Sequence, residues 1–250
     1  MTPKTAAYAR IVDAFLETEA LPMSAQHDCP YLPGQLARCE GFSIHELDPE
    51  IYARLMDRNF RRSGRVIYRP VCRECTECRA LRVPVHRFKP SRSQRRALKR
   101  NRDVGVTVGR PELTEEKWNL FLAYIDFQHD DTMSRDREDI VDFLYRPPVD
   151  GLEICYRLKD ELVGVSIADR SADALSSVYM YFAPKHRRRS LGTYSALWEI
   201  DYCRRSGMTY YYLGYYVAGA RTMAYKARFT PCEVLDSSHT WVEFQPPESG

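Results

Sequence analysis

The sequence predicts an α+β protein: a smaller basic, cysteine-containing domain over residues 1–103, then a larger mixed domain over residues 104–250. Three observations carry that expectation. An aromatic, β-branched run from Ser177 to Phe182 stops at Pro184, and a second, Tyr210 to Tyr216, begins soon after Gly207. Between them Leu191, Tyr194, Leu197, Trp198 and Ile200 recur at helical spacing, so the segment reads strand, helix, strand. The third observation is charge. Residues 58–102 hold 16 Lys or Arg against two acids, which leaves 21 basic and 32 acidic side chains elsewhere. A block of +14 beside a remainder of −11 is the pattern of a polyanion-binding surface, concealed by the net charge of +3.

Taken in order, residues 5–20 place Tyr8, Ile11, Val12, Phe15 and Leu16 near helical spacing and predict a short amphipathic helix. The Pro-rich loop 21–34 follows, then a strand from Ala37 to Ile44. Asp48-Pro49 opens a helix, with Asp48 as cap and Pro49 at the first helical position. Arg61-Arg62-Ser63-Gly64-Arg65 reads as a basic turn. Val66–Tyr68 is a strand, and the alternation Leu81, Val83, Val85 predicts a second strand antiparallel to it. After Pro90, SRSQRRALKRNRD is a helix that Ser91 or Ser93 would cap, basic nearly all round. Such a helix buries little, and a phosphate contact explains its charge better than solubility does.

From Val104 the composition shifts. VGVTVGR is a strand, and Thr114 caps a helix ending near Tyr124. A second helix covers Ile140 to Leu144. Leu152–Leu158, Leu162–Ala168 and Leu175–Phe182 form a three-stranded meander that leads into the strand–helix–strand unit. A short helix near Thr222–Ala227 and two last strands close the chain. Two helices, three antiparallel strands, then βαβ is the element order of a GNAT-like acyltransferase domain. Its basic turn, Lys185, Arg187, Arg188 and Arg189, precedes Ser190, the expected cap of the central helix. Free N–H groups and the helix dipole would hold an anion there.

No apolar run approaches the ~20 residues of a membrane span, and the N-terminal residues lack a signal-peptide core, so the cytoplasm is the expected compartment. Of eight cysteines, Cys72, Cys75 and Cys78 are spaced CxxCxxC, which suits reduced thiolates on a metal or cluster better than disulfides. Cys155, Cys203 and Cys232 sit among apolar residues and read as core.

HDCPYLPG, FRRSGRVIYRPVC, RVPVHRFKPSRSQRRALKRN, SSVYMYFAP, SLGTYSALWEI, YLGYYV and MAYKARFTP resemble successive blocks of the arginyl/leucyl-tRNA–protein transferase family, over residues 26–235. YRPxC followed by FKPSRSQRR is the most specific of them. The likeness is greatest to the short bacterial branch. It implies transfer of leucine from leucyl-tRNA to proteins that begin with Asp or Glu, which marks them for degradation through the N-degron pathway. Two positions depart from the family. The loop reads Cys29-Pro30-Tyr31-Leu32, without the second cysteine of a CxxC pair, and Gln128-His129 stands where the family often shows Arg-His. For Cys29, Cys72, Cys75 and Cys78 two states stay open: a ligand set for zinc or an iron–sulfur cluster, or free thiols.

An aminoacyl ester is already activated and an α-amine titrates near 7.7–8.0, so the chemistry requires no cofactor. Positioning, oxyanion donors and a proton acceptor suffice. Tyr179, Tyr215 and Tyr225 are the candidate donors or relays. Ser176 and Ser177 begin the strand on which an acceptor peptide would pair. His129, Lys226 and Arg62 are candidate cations for the acceptor carboxylate. Arg95, Arg96, Lys99 and Arg100, with Lys185, Arg187, Arg188 and Arg189, would bind the tRNA. An acetyl-CoA-dependent acetyltransferase and a non-enzymatic RNA-binding module with a zinc knuckle are the alternatives.

Overall fold

The computed structural model describes residues 3–18, 20–128 and 133–244. Helix α1 (Pro3–Thr18) is followed by a two-stranded hairpin, β1 (His27–Asp28) and β2 (Leu36–Ala37), around the Pro-rich loop. Strand β3 (Cys39–Ser43) leads to α2 (Pro49–Met56). The Asp48 carboxylate accepts the Glu50 N–H at 2.8 Å, with Pro49 next in line, as the sequence requires. The expected basic turn at residues 61–65 is instead a strand, β4 (Arg61–Ser63), with only Gly64-Arg65 turning into β5 (Val66–Pro70). These strands form a small antiparallel sheet in the order β3-β5-β4.

Strand β6 (Arg79–Pro84) does not pair with β5. It leaves the small sheet and enters a second one, between two strands from the far end of the chain. Its alternation is sound, but the partner is set by register with distant residues, which periodicity does not reveal. The two halves of the chain therefore share a sheet. Helix α3 (Arg92–Arg100) has a full capping box: Ser91 Oγ accepts the Gln94 N–H, and Gln94 Oε1 accepts the Ser91 N–H at 2.7 Å.

Strand β7 (Gly105–Gly109), helix α4 (Glu115–Gln128), and helix α5 (Arg137–Ile140), which runs into a π turn over Val141–Tyr145, precede the meander β8 (Asp150–Leu158), β9 (Glu161–Arg170) and β10 (Ala174–Phe182). A 3-10 turn over Pro184–Arg189 joins β10 to α6 (Leu191–Arg205). Then come β11 (Tyr210–Tyr216), α7 (Arg221–Ala224), a second 3-10 turn over Tyr225–Arg228, β12 (Cys232–Leu235) and β13 (Trp241–Phe244). The large sheet has the order β13-β12-β6-β11-β10-β9-β8-β7. Only β10 and β11 pair in parallel, as a βαβ crossover through α6 demands. This is the GNAT-like arrangement expected from the element order.

The sheet is covered on both faces. Leu191, Leu197 and Ile200 of α6 pack with Leu175 and Leu213, while Phe121 and Ile125 of α4 pack with Val165, Ile167 and Tyr181. Strand β9 is consequently buried along nearly its whole length, which explains its run of apolar residues. A third cluster, with Tyr52, Leu55, Met56, Phe60 and Ile67, seats α2 and the small sheet on Ala174 and Tyr212. Each fully buried Leu or Phe contributes about 1.5–3 kcal/mol. Cys203 and Cys232 are core residues, as expected. Among the described residues no helix is long and apolar enough to cross a membrane.

Candidate active site between parted strands

Strands β10 and β11 pair at three positions, Ala174↔Tyr210, Leu175↔Tyr211 and Ser176↔Tyr212, and then separate. Local irregularities accompany the parting. The register of β10 against β9 shifts between Ser177 and Tyr179, and that of β11 against β6 shifts between Tyr212 and Gly214. Such bulges bend a strand and end pairing. A cavity of about 530 Å³ opens there. Its walls include Ser176, Ser177, Tyr179, Tyr215, Tyr225, Lys226 and Arg62, so seven sequence-predicted residues meet in one place. His129 lies outside the described residues. Gln128, which precedes it, lines the cavity.

Their roles differ from one another. The Tyr215 hydroxyl donates to the Asn59 carbonyl at 2.8 Å and is therefore committed. The Tyr179 hydroxyl lies 3.0 Å from Met133 Sδ. Burial holds both phenols above the ordinary value, so neither gives up its proton near neutrality. Tyr225 lines the cavity yet keeps 41% of its surface exposed.

Lys226 is buried on the turn after α7, which is held by a hydrogen bond from Gln94 Nε2 to the Arg228 carbonyl at 3.1 Å. Its Nζ donates to the Tyr215 carbonyl at 2.9 Å and meets Met223 Sδ at 3.4 Å. Burial, and then the charge of Arg61, lower its pKa to about 7. Gly214 makes room: its φ is +86°, and a Cβ there would stand 3.3 Å from Lys226 Nζ.

Arg62 is not available for a substrate. Its Nε and Nη2 hold Asp169 at 2.7 and 2.9 Å, its Nη1 donates to the Phe143 carbonyl at 3.0 Å, and both partners of the pair have no exposed surface. Tyr52 donates to the same carboxylate at 3.1 Å. The pair bolts the small sheet to β9. The residue that the sequence reading passed over is its neighbour. Arg61 is 5% exposed and lines the cavity, and its Nε and Nη2 have no hydrogen-bond partner among the described residues. Treating residues 61–65 as a turn hid the strand alternation that separates these two arginines. Glu199 was also missed. It is fully buried, and accepts hydrogen bonds from Ser166, Ser195 and Tyr211 at 2.6 Å each, tying α6 to the sheet.

The two basic clusters merge into one surface. The Arg100 guanidinium donates to the Arg188 carbonyl and to Ser190 Oγ, and Asn101 Nδ2 donates to the Arg189 carbonyl at 2.8 Å. Arg189 pairs with Asp103 at 2.8 Å. Ser190 is thus not a side-chain cap; it is left-handed, with φ +60°, and its hydroxyl accepts from Arg100. Arg95, Arg96, Lys99, Arg187 and Arg188 remain exposed beside this junction, while Lys185 pairs with Glu161 at 2.9 Å.

Cys29, Cys72, Cys75 and Cys78, joined by Cys39 of β3, line a second cavity of about 700 Å³ that shares Tyr31, Tyr68 and Tyr215 with the first. Among the described residues no three His, Cys, Asp or Glu side chains are arranged to hold a metal ion. Burial and the neighbouring thiols push the Cys78 thiol up to about 12.

Two family profiles, described as arginine-tRNA-protein transferase, N terminus and C terminus, match residues 27–96 and 116–236. The chain belongs to the arginine-tRNA-protein transferase family. Curated relatives bear the name aspartate/glutamate leucyltransferase. That of Alkalilimnicola ehrlichii is 42% identical over 86% of this chain and 93% of its own length. That of Thiobacillus denitrificans is 39% identical over 85% and 90%. Among solved structures, FemX aligns over 86% of this chain and 88% of its own, at 10% identity and a TM-score of 0.44. L-PGS from Bacillus licheniformis aligns over 86% and 76%, at 12% and 0.42. In this transferase both family segments build the cavity: Arg61 and Arg62 come from the first, Tyr179, Tyr215 and Lys226 from the second.

Proposed function

We propose that the protein moves leucine from leucyl-tRNA onto the α-amine of proteins that begin with Asp or Glu. The observation that carries this reading is the charge of the cavity. Among its described lining residues are Arg61 and Lys226, beside an Arg62 already neutralised by Asp169, and not one carboxylate. A carried arginine would meet like charge there, whereas leucine meets Val178, Met180, Leu213 and Met223. An acidic acceptor suits the same walls. The names borne by relatives at 36–42% identity point the same way.

The reaction is an ester aminolysis. The acceptor extends along β10 beyond Ser176, where β11 no longer occupies the edge. Its neutral amine attacks the ester carbon, a C–N bond forms, the C–O bond to the terminal ribose breaks, and the ribose oxygen leaves with a proton. Lys226 takes the amine proton, since about half of it is neutral near pH 7. Tyr179 and Tyr225 are the phenols that face the developing oxyanion. The bond exchange uses no cofactor. The exposed arginines of α3 and of the turn 184–189 hold the acceptor stem of the tRNA. A tRNA donor assigns the work to the cytoplasm, and the added leucine marks the product for N-degron degradation.

Arg100 and Asn101 engage the carbonyls and the serine of the turn before α6. The test is donor choice. Labelled leucyl-tRNA, arginyl-tRNA and acetyl-CoA are each offered with a peptide beginning with Asp. Transfer from leucyl-tRNA is expected to exceed the other two by at least about a hundredfold. Transfer from acetyl-CoA at a comparable rate contradicts the reading, and tRNA binding without any transfer leaves only an RNA-binding module.

A further inference from the structure

We infer that the Arg61 guanidinium reads the side-chain carboxylate of the acceptor's first residue. This rests on the reading that acidic N-termini are the acceptors. Arg61 is 5% exposed, and no carboxylate pairs with it among the described residues. One N–H group, on Nη1, donates to the Phe60 carbonyl at 3.1 Å. The Nε and Nη2 groups are buried without a partner. A protein rarely leaves such donors unmatched unless a ligand supplies the acceptor.

The vacant groups have a shape. Nε and Nη2 share one edge of the guanidinium plane and form a fork that fits both oxygens of a carboxylate. The neighbouring residue demonstrates that fit, because Arg62 holds Asp169 through the same two nitrogens at 2.7 and 2.9 Å. The Arg62 edge is filled from within the protein; that of Arg61 is buried in the wall of the cavity. The Arg61 guanidinium is also held still, 5.0 Å from the Tyr212 ring centroid and 5.8 Å from that of Tyr215. A fork fixed before binding loses little freedom when a ligand arrives.

This arrangement explains how Asp and Glu would be told from Asn and Gln. A carboxylate offers two acceptor oxygens and a charge. An amide offers one oxygen, brings an NH2 against the second donor, and leaves the buried cation uncompensated.

The test uses the full-length enzyme at saturating leucyl-tRNA, with peptides that differ only in a first residue of Asp, Glu, Asn or Ala. In Arg61→Met, kcat/KM for the Asp and Glu peptides is expected to fall on the order of a hundredfold. The values for Asn and Ala should fall much less, only by the loss that a raised Lys226 pKa imposes on every peptide, and the KM for leucyl-tRNA should stay within about twofold, because neither uses the fork. Arg61→Lys keeps the charge and loses the fork, and should narrow the Asp-over-Asn preference at least about tenfold; it serves if the Met variant does not fold. An unchanged preference in the lysine variant overturns the inference. So does a uniform loss on all peptides with a raised KM for leucyl-tRNA, which would give Arg61 to a tRNA phosphate instead. Wild-type enzyme that moves leucine to none of these peptides overturns the transferase reading beneath it.

Discussion

Arg61 and Arg62 stand side by side on β4 and have opposite fates. Arg62 is saturated by Asp169, Tyr52 lies on the same carboxylate, and the pair has no exposed surface. Arg62→Ala would strand a buried carboxylate, so it should destabilise the fold by about 3–5 kcal/mol in urea denaturation. Selectivity among acceptors should survive in whatever fraction stays folded. Lys226 supplies the pH dependence. Its pKa is lowered to about 7, so the neutral, proton-accepting form grows as pH rises through that value. Single-turnover transfer should therefore rise through pH 7 and level off above the acceptor amine's own titration near 8. Lys226→Met should lose the step near 7 and keep the one near 8; an identical profile would remove Lys226 from proton transfer. At this scale the sequence was informative about which residues converge and poor on their duties. Tyr215, Tyr179 and Lys226 were legible from their strands and turn, but Asn59 and Gln94, which fix two of them, act from far away in the chain.

At the scale of elements, α3 and the turn before α6 belong together. Arg100 braces the turn, since its Nη1 donates to the Arg188 carbonyl and to Ser190 Oγ. The other exposed cations of the helix are Arg92, Arg95, Arg96 and Lys99, of which Arg95 also donates to the Pro90 carbonyl at 2.8 Å. Changing these four to Ala should raise KM for leucyl-tRNA and flatten the dependence of affinity on salt by about two to four contacts. The rate at saturating tRNA should hold, because these contacts do not change in the transition state. An unaltered salt slope would make this face solvated surface only. Alternation and helical spacing made β8 to β11 and α6 legible, because period and turn residues are local properties. The place of β6 in the large sheet, and the left-handed Ser190, were not legible. The first depends on partners at long range, β11 and β12. Cys39 was missed for the same reason: it comes to the thiol-lined cavity on β3, outside the CxxCxxC spacing.

The whole molecule couples a basic face to a cavity ringed by phenols, and its tyrosines set its alkaline limit. Burial holds Tyr52, Tyr156, Tyr181, Tyr211 and Tyr212 above the ordinary value of 10. The unfolded chain releases these protons first. Their contribution is therefore complete below pH 10 and lost as pH rises beyond it. Urea midpoints should fall steeply as pH rises above 10; a flat response there would contradict the burial of these rings. The two-part composition, +14 against −11, pointed to a polyanion-binding surface. It did not foretell that both halves would line one cavity, because that depends on how β4 seats on β9 and β10. The most direct test of the account is where the acceptor docks. A peptide beginning with Asp, carrying a benzophenone side chain at its third residue, is irradiated on the enzyme and the adducts are mapped by mass spectrometry. Adducts on residues 176–182 and 213–226 are predicted. Adducts confined to the cysteine-lined cavity or to α3 would contradict the claim that transfer takes place where β10 and β11 part.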